Sequence, residues 1–282
     1  MLTPYPNRDP KVIEIRSLEL HVAHGCNFTC VSCSHYSNQG HRGLLSLEDA
    51  EQWMKPWSQR LRPVHFRLLG GEPALHPRLG DILLLARRYW PHSKLWLTSN
   101  GFLLHRHPEL PRILQETQTR LCVSVHDDSD SYNKKFEGVR RLLEDWSARH
   151  PFGYEYRDSY QFWTRRYKGF GSSMEPFEDG NPRSSWENCP ARYCAQLFNG
   201  AVWKCAPLAY LGMQDKKYGL SEKWQPYLSY TGLEAGCTEA ELKAFVTEED
   251  NPCCGMCPAN PERFKKPDPQ IPNAKLQRAD PQ

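Results

Sequence analysis

From residue 16 to about 157 the chain repeats one alternation, a short β-prone run followed by a helical pattern. The runs are Ser17–Val22, Val64–Leu69, Lys94–Thr98, Leu121–Val125 and Gly153–Tyr156. Between them, Ser46 and Asp49 have the spacing of a capping box, Leu79–Trp90 is stopped by Pro91, and Phe136, Val139, Leu142, Leu143 and Trp146 recur at helical intervals. Strands separated by helices run parallel, which predicts an α/β fold whose βα units stack into a parallel sheet or barrel. In such a barrel the C-terminal ends of all strands meet on one rim, so residues that directly follow each strand share one space.

The remainder divides by composition. Residues 158–188 are aromatic and carry Gly and Pro, the mark of a connector that also walls the site. Residues 189–260 are cysteine-rich and contain a hairpin signal, Asn199-Gly200 between Ala195–Phe198 and Ala201–Lys204; they predict a small C-terminal domain. The stretch 261–282, with its Lys-Lys-Pro-Asp-Pro run, reads as a disordered tail.

The 282 residues are 24% charged and 39% hydrophobic, with no apolar run of membrane-spanning length. The N-terminus lacks a basic start and an apolar stretch, which predicts a cytoplasmic protein. Its eleven cysteines are then read in a reducing compartment, where clustered thiols serve metals or redox chemistry more often than disulfides. A net charge of +3 and basic pairs such as Arg87-Arg88 and Arg165-Arg166, expected to face solvent, imply no nucleic-acid partner.

Cys26-Asn-Phe-Thr-Cys30-Val-Ser-Cys33 follows the first strand, so three thiols lie in one rim loop. Three protein ligands on a four-iron cluster leave one iron open to another ligand. A zinc loop completed by His35 is the alternative. The other strand ends carry Gly70-Gly71-Glu72-Pro73, Thr98-Ser99-Asn100-Gly101, His126-Asp127 and Tyr156-Arg157. His126 has the unperturbed pKa of a general base, and Tyr156 and Arg157 suit hydroxyls or a phosphate. Cys122 has the register of a core residue.

These residues resemble the radical S-adenosylmethionine (SAM) superfamily, whose signature is Cys-x3-Cys-x2-Cys after the first strand of a partial barrel. The residue before the last cysteine, usually aromatic and near the adenine, is Ser32 here. The resemblance implies a partial (β/α)6 TIM-like barrel over residues 1–157 and a [4Fe–4S] cluster on Cys26, Cys30 and Cys33. It also implies contacts to SAM from Gly70, Gly71, Glu72 and Pro73, and from Ser99 and Asn100. The activity it implies is reductive cleavage of SAM to a 5′-deoxyadenosyl radical that takes hydrogen from substrate, with an electron donor such as flavodoxin or ferredoxin.

In the second half, Cys194 and Cys205 are equidistant from the Asn199-Gly200 turn, so a two-residue hairpin places them opposite one another. Cys254-x2-Cys257 adds a second pair. Together they resemble the SPASM or twitch domains that hold an auxiliary [4Fe–4S] cluster; against that spacing Cys189 fits as well as Cys194, and Cys253 stands in reserve for Cys254. A four-cysteine zinc site is the competing reading. Cys237, between these groups, is a candidate hydrogen-atom donor to a product radical. By family analogy the substrate is a small polar molecule such as a sugar or aminocyclitol, dehydrogenated or epimerised. The alternatives are modification of a ribosomally made peptide and, outside enzymes, a zinc-stabilised binding protein.

Overall fold

A computed structural model of the chain describes residues 12–263. Its elements are β1 (Ile13–His21), α1 (Leu47–Ser58), β2 (Leu61–Leu69), α2 (Leu79–Tyr89), β3 (Lys94–Ser99), α3 (Leu110–Glu116), β4 (Arg120–Val125), α4 (Asp130–Arg149) and β5 (Tyr154–Asp158). They continue with α5 (Pro182–Glu187), β6 (Ala195–Phe198), β7 (Ala201–Trp203), α6 (Ala206–Tyr218), α7 (Gln225–Leu228) and α8 (Glu239–Thr247). One sheet runs β5-β4-β3-β2-β1-β6-β7, parallel throughout except for β7, and it does not close. This is the expected partial barrel with six parallel strands.

The local signals act as their chemistry dictates. The Ser46 hydroxyl accepts from the Asp49 amide at 3.0 Å and starts α1. Asn199 and Gly200 both take positive φ, 51° and 77°, as a two-residue hairpin turn of this hand requires.

The sheet has two unlike faces because its side chains alternate. Leu18, Leu20, Phe66, Leu68, Leu97, Leu121 and Val123, all fully buried, point to the helix layer with Trp57, Ile82 and Phe136. Burying each such side chain contributes about 1.5–3 kcal/mol. The other face carries Ser17, Glu19 and His21 on β1, with His65 and Arg67 in register on β2, Trp96 on β3 and Gln196 on β6. This inner face is polar.

The hairpin expected to open a separate domain belongs to the barrel sheet. Leu18, Glu19 and Leu20 pair in parallel with Ala195, Gln196 and Leu197, so β6 extends the free edge of β1 and a boundary before residue 189 cuts no independent unit. Two-residue periodicity marks a strand without naming its partner, which hid this pairing. Of the expected disordered tail, Arg263 forms a bridge with Thr164, while 264–282 lie outside the described residues, as does the start of the N-terminal segment, 1–11.

Candidate active site

The three-cysteine loop is clamped by backbone. Gly71 donates to the Ala23 carbonyl at 2.7 Å and the Glu72 amide to the Gly25 carbonyl at 2.9 Å. A Cβ on Gly71 would stand 2.2 Å from that Gly25 oxygen, and one on Gly70 2.7 Å from the Ala23 oxygen. Glycine is required there because two loops touch. On the far side, Ser37, Asn38, Gln39 and His41 are buried, and α6 and the connector hold this stretch: Lys217 and Tyr218 donate to the Gln39 carbonyl at 2.8 and 2.7 Å, and Gln39 donates to the Tyr167 hydroxyl at 3.2 Å.

Burial pushes the thiols of Cys26, Cys30 and Cys33 up; Cys33 adds repulsion at Cys30, and Glu72, Cys30 and Cys33 add it at Cys26. Three buried thiolates are unfavourable without a cation to bind, and the loop is therefore suited to iron. Among the described residues no three His, Cys, Asp or Glu side chains converge on a point that would hold a single metal ion.

The ends of β2 and β3 meet through Glu72. Fully buried, its carboxylate accepts from the Ser99 hydroxyl at 2.6 Å, the Asn100 amide at 2.8 Å and the Ala74 amide at 3.0 Å. Burial raises its pKa against those hydrogen bonds. Asn100 then donates to Asn27 of the cysteine loop at 2.7 Å. The motifs at the ends of the first three strands thus form one network. Glu72, expected to present its carboxylate to SAM, spends both oxygens on protein donors.

The expected chemistry at the later strands is redistributed. His126 reaches the rim, but its Nδ1 lies 3.5 Å from Cys30 Sγ, and burial lowers its pKa to about 4. Asp127 turns to its own loop, accepting from the Asp128 amide at 2.8 Å, the Ser129 amide at 3.1 Å and the Ser129 hydroxyl at 3.0 Å ahead of α4. Tyr156 is on the helix side of β5, against Phe136 at 5.8 Å, because alternation sends Arg157 to the opposite face. Cys122 shares that inner face with Ser124 and is not a helix-side core residue. Cys237 accepts from Arg60 at 3.2 Å, beside the start of β2 and therefore at the end of the sheet away from the rim.

Ser32, in place of the usual aromatic, is buried at φ 54° and accepts from the Arg166 amide at 2.6 Å. Arg166, expected in solvent, is buried too; its guanidinium approaches Cys189 Sγ at 3.8 Å and favours the thiolate of Cys257.

Cys189, Cys205, Cys254 and Cys257 line one pocket, partly open to solvent, with Cys253 also on its wall. Burial raises Cys205, and Cys257, Cys189 and Cys254 repel it further; Cys257 is raised to about 12 by burial. Cys194 is elsewhere. Its thiol is raised by burial and by Glu19, on the inner face. The hairpin ladder ends at Gln196 and Trp203, and the chain leaves it at Cys205 to start α6, so the expected Cys194–Cys205 facing pair never forms. The Cys254–Cys257 segment is held by α5, where Ser185 donates to the Cys257 carbonyl at 2.9 Å.

The sequence reading missed Glu19, His21, Arg67 and Gln196. Gln196 donates to Glu19 at 2.7 Å and accepts from Tyr210 at 3.0 Å; Tyr210 also packs on His21 at 4.7 Å. The signal was present as strict alternation, Ser17-Leu18-Glu19-Leu20-His21.

Residues 20–148 match the model of the Radical SAM superfamily and form a radical SAM domain. Similar curated proteins include a GTP 3′,8-cyclase of Shewanella denitrificans, 32% identical over 94 residues (33% of this chain, 28% of the relative). A probable GTP 3′,8-cyclase of Saccharolobus solfataricus is 30% identical over 126 residues (44% and 39%). The chain thus spans less than half the length of these relatives. Among solved structures, BtrN in complex with AdoMet and 2-DOIA is similar over 90% of this chain and 98% of its own, with TM-score 0.50 and 17% identity, a likeness of fold. Among the described residues no helix is long and apolar enough to cross a membrane.

Proposed function

We propose that the chain is a radical SAM enzyme acting on a small polar substrate, such as a sugar or aminocyclitol, by dehydrogenation or epimerisation. The observation that carries this is the placement of Cys26, Cys30 and Cys33 in one rim loop fastened to the Gly70–Glu72 turn and, through Asn27 and Asn100, to the end of β3. Cys26, Cys30 and Cys33 would hold a [4Fe–4S] cluster. With SAM on its open iron, that cluster supplies a 5′-deoxyadenosyl radical by one-electron cleavage.

The protein's part is placement. Gly70 and Gly71 bring the β2 loop onto the cysteine loop, Glu72 orders Ser99 and Asn100, and Phe28, packed on Phe102 at 5.3 Å and His126 at 5.2 Å, closes the outer side of the loop. The polar inner face supports a small polar substrate, and BtrN, similar in fold over most of its length, is a protein seen with AdoMet and 2-DOIA.

Cys189, Cys205, Cys254 and Cys257 are assigned to an auxiliary [4Fe–4S] cluster, with Arg166 offsetting its negative charge. An electron donor such as flavodoxin or ferredoxin would reduce the cluster. Anaerobic reconstitution with iron and sulfide, metal analysis, then reduction with SAM tests the whole. About eight irons per chain and 5′-deoxyadenosine are expected; zinc without iron or product would refute the reading.

A further inference from the structure

We infer that Arg67, Glu19 and His21 form a subsite for a substrate that carries an anionic group, phosphate or carboxylate, together with a hydroxyl or amine. The inference rests on the proposal that the inner face of the sheet receives the substrate. Glu19 and Arg67 are in register on neighbouring strands and point to that face, and His21 stands two residues, about 6.6 Å, nearer the rim on β1.

The charges there are unevenly answered. Two guanidinium groups lie over the Trp96 ring, Arg67 at 5.1 Å and Arg120 at 5.4 Å. Arg120 is paired with Glu155 at 3.1 Å. Arg67 has neither a hydrogen bond nor an ion pair among the described residues, although Glu19 lies near enough to feel its charge. A guanidinium stacked on a ring keeps its in-plane donors available, and their fork geometry matches carboxylate and phosphate oxygens. Arg157, also on this face, adds a second positive charge felt by Glu19.

Beside this cation lie buried polar groups with nothing to bind. Neither ring nitrogen of His21, 2% exposed, has a partner of good geometry, the Gly70 backbone being the nearest candidate, and the Ser17 hydroxyl, 5% exposed, has none. Buried polar atoms in folded proteins are nearly always satisfied, so an unpaired imidazole and hydroxyl flanking an unpaired guanidinium mark a place where a ligand supplies the missing partners. Glu19, already fixed by Gln196, accepts from a hydroxyl or amine on the same molecule.

Equilibrium dialysis of the full, iron-reconstituted chain against labelled inorganic phosphate, and separately labelled acetate, at constant ionic strength tests this. One saturable site per chain is expected for at least one anion, weakened roughly ten-fold or more by Arg67→Met and by Arg67→Gln, which keeps a polar end should the methionine variant fold poorly. Arg120→Met, which alters the same ring stack but removes an already paired charge, is expected to bind as the parent does. Phosphate binding alone names a phosphorylated substrate, and acetate binding alone a carboxylate. No saturable binding of either, or equal binding by both Arg67 variants, overturns the inference. Formation of 5′-deoxyadenosine from SAM in the same samples separates the two readings. Product without anion binding refutes only the subsite, and anion binding without product refutes only the radical chemistry.

Discussion

His126 Nδ1 lies 3.5 Å from the sulfur of Cys30, across 96 residues of sequence. The ring is neutral near pH 7, since burial lowers its pKa to about 4. A hydrogen bond to a ligand sulfur raises the reduction potential of an iron–sulfur cluster. His126→Phe keeps an aromatic ring against Phe28 but removes the donor. Its first cluster is expected to show a more negative midpoint in an EPR-monitored redox titration, with slower 5′-deoxyadenosine formation; an unchanged midpoint would make His126 a packing residue.

Cys189 lines the second cysteine pocket and Cys194 does not. Cys189→Ala is therefore expected to lose about four irons per chain on reconstitution while still producing 5′-deoxyadenosine, whereas Cys194→Ala retains its iron. Cys30→Ala loses the other four, and the product with them. Iron and sulfide analysis of the three variants decides among these outcomes.

Removal of the Glu72 carboxylate leaves the Ser99 hydroxyl and the Asn100 and Ala74 amides buried without an acceptor. Glu72→Ala is expected to cost about 3 kcal/mol or more in denaturant unfolding of the metal-free chain and to abolish SAM cleavage. A loss below about 1 kcal/mol would mean that water replaces the carboxylate.

His76 Nε2 donates to the Leu45 carbonyl at 2.7 Å while its Nδ1 accepts from the Arg78 amide at 3.0 Å, an arrangement only the neutral ring allows. Burial lowers its pKa from 6.5. Its stabilisation is complete above about pH 6.5 and is lost as pH falls through the lower folded-state value. The stability advantage of the parent over His76→Gln is expected to shrink between pH 7.5 and 5, measured by urea unfolding; a constant difference would contradict this.

Tyr156 packs toward α4, and Asp127 serves the turn before that helix. Tyr156→Phe is expected to leave 5′-deoxyadenosine formation within about two-fold of the parent. Asp127→Ala is expected to cost about 1 kcal/mol of stability with the same activity, a size typical of a lost helix-start interaction. A ten-fold fall in product for either would return it to the reacting centre.

The alternation of strands and helices, the cysteine loop and the two glycine-bearing strand ends were legible because each is local: spacing alone puts Cys26, Cys30 and Cys33 in one loop. Long-range choices were not. Whether Cys189 or Cys194 reaches the pocket depends on where the hairpin ladder stops, and that is decided by α6 beginning at Ala206, directly after Cys205. The sides taken by Tyr156 and Arg157 depend on a strand register that a five-residue segment leaves open by one position. Arg166 looked like a surface charge because nothing in its neighbours announces a half-buried thiol 23 residues away.

The pairing of β1 with β6 also sets an order of events. As the chain is synthesised, β1 finds β2 within one helical crossover, but its other edge waits for a strand that follows far later; Glu19 and the Gln196 that fixes it are 177 residues apart. Contacts of such separation form late, because their loop-closure entropy is met only once the intervening structure exists. Until then the inner face and the cysteine loop at its rim stay open on one flank.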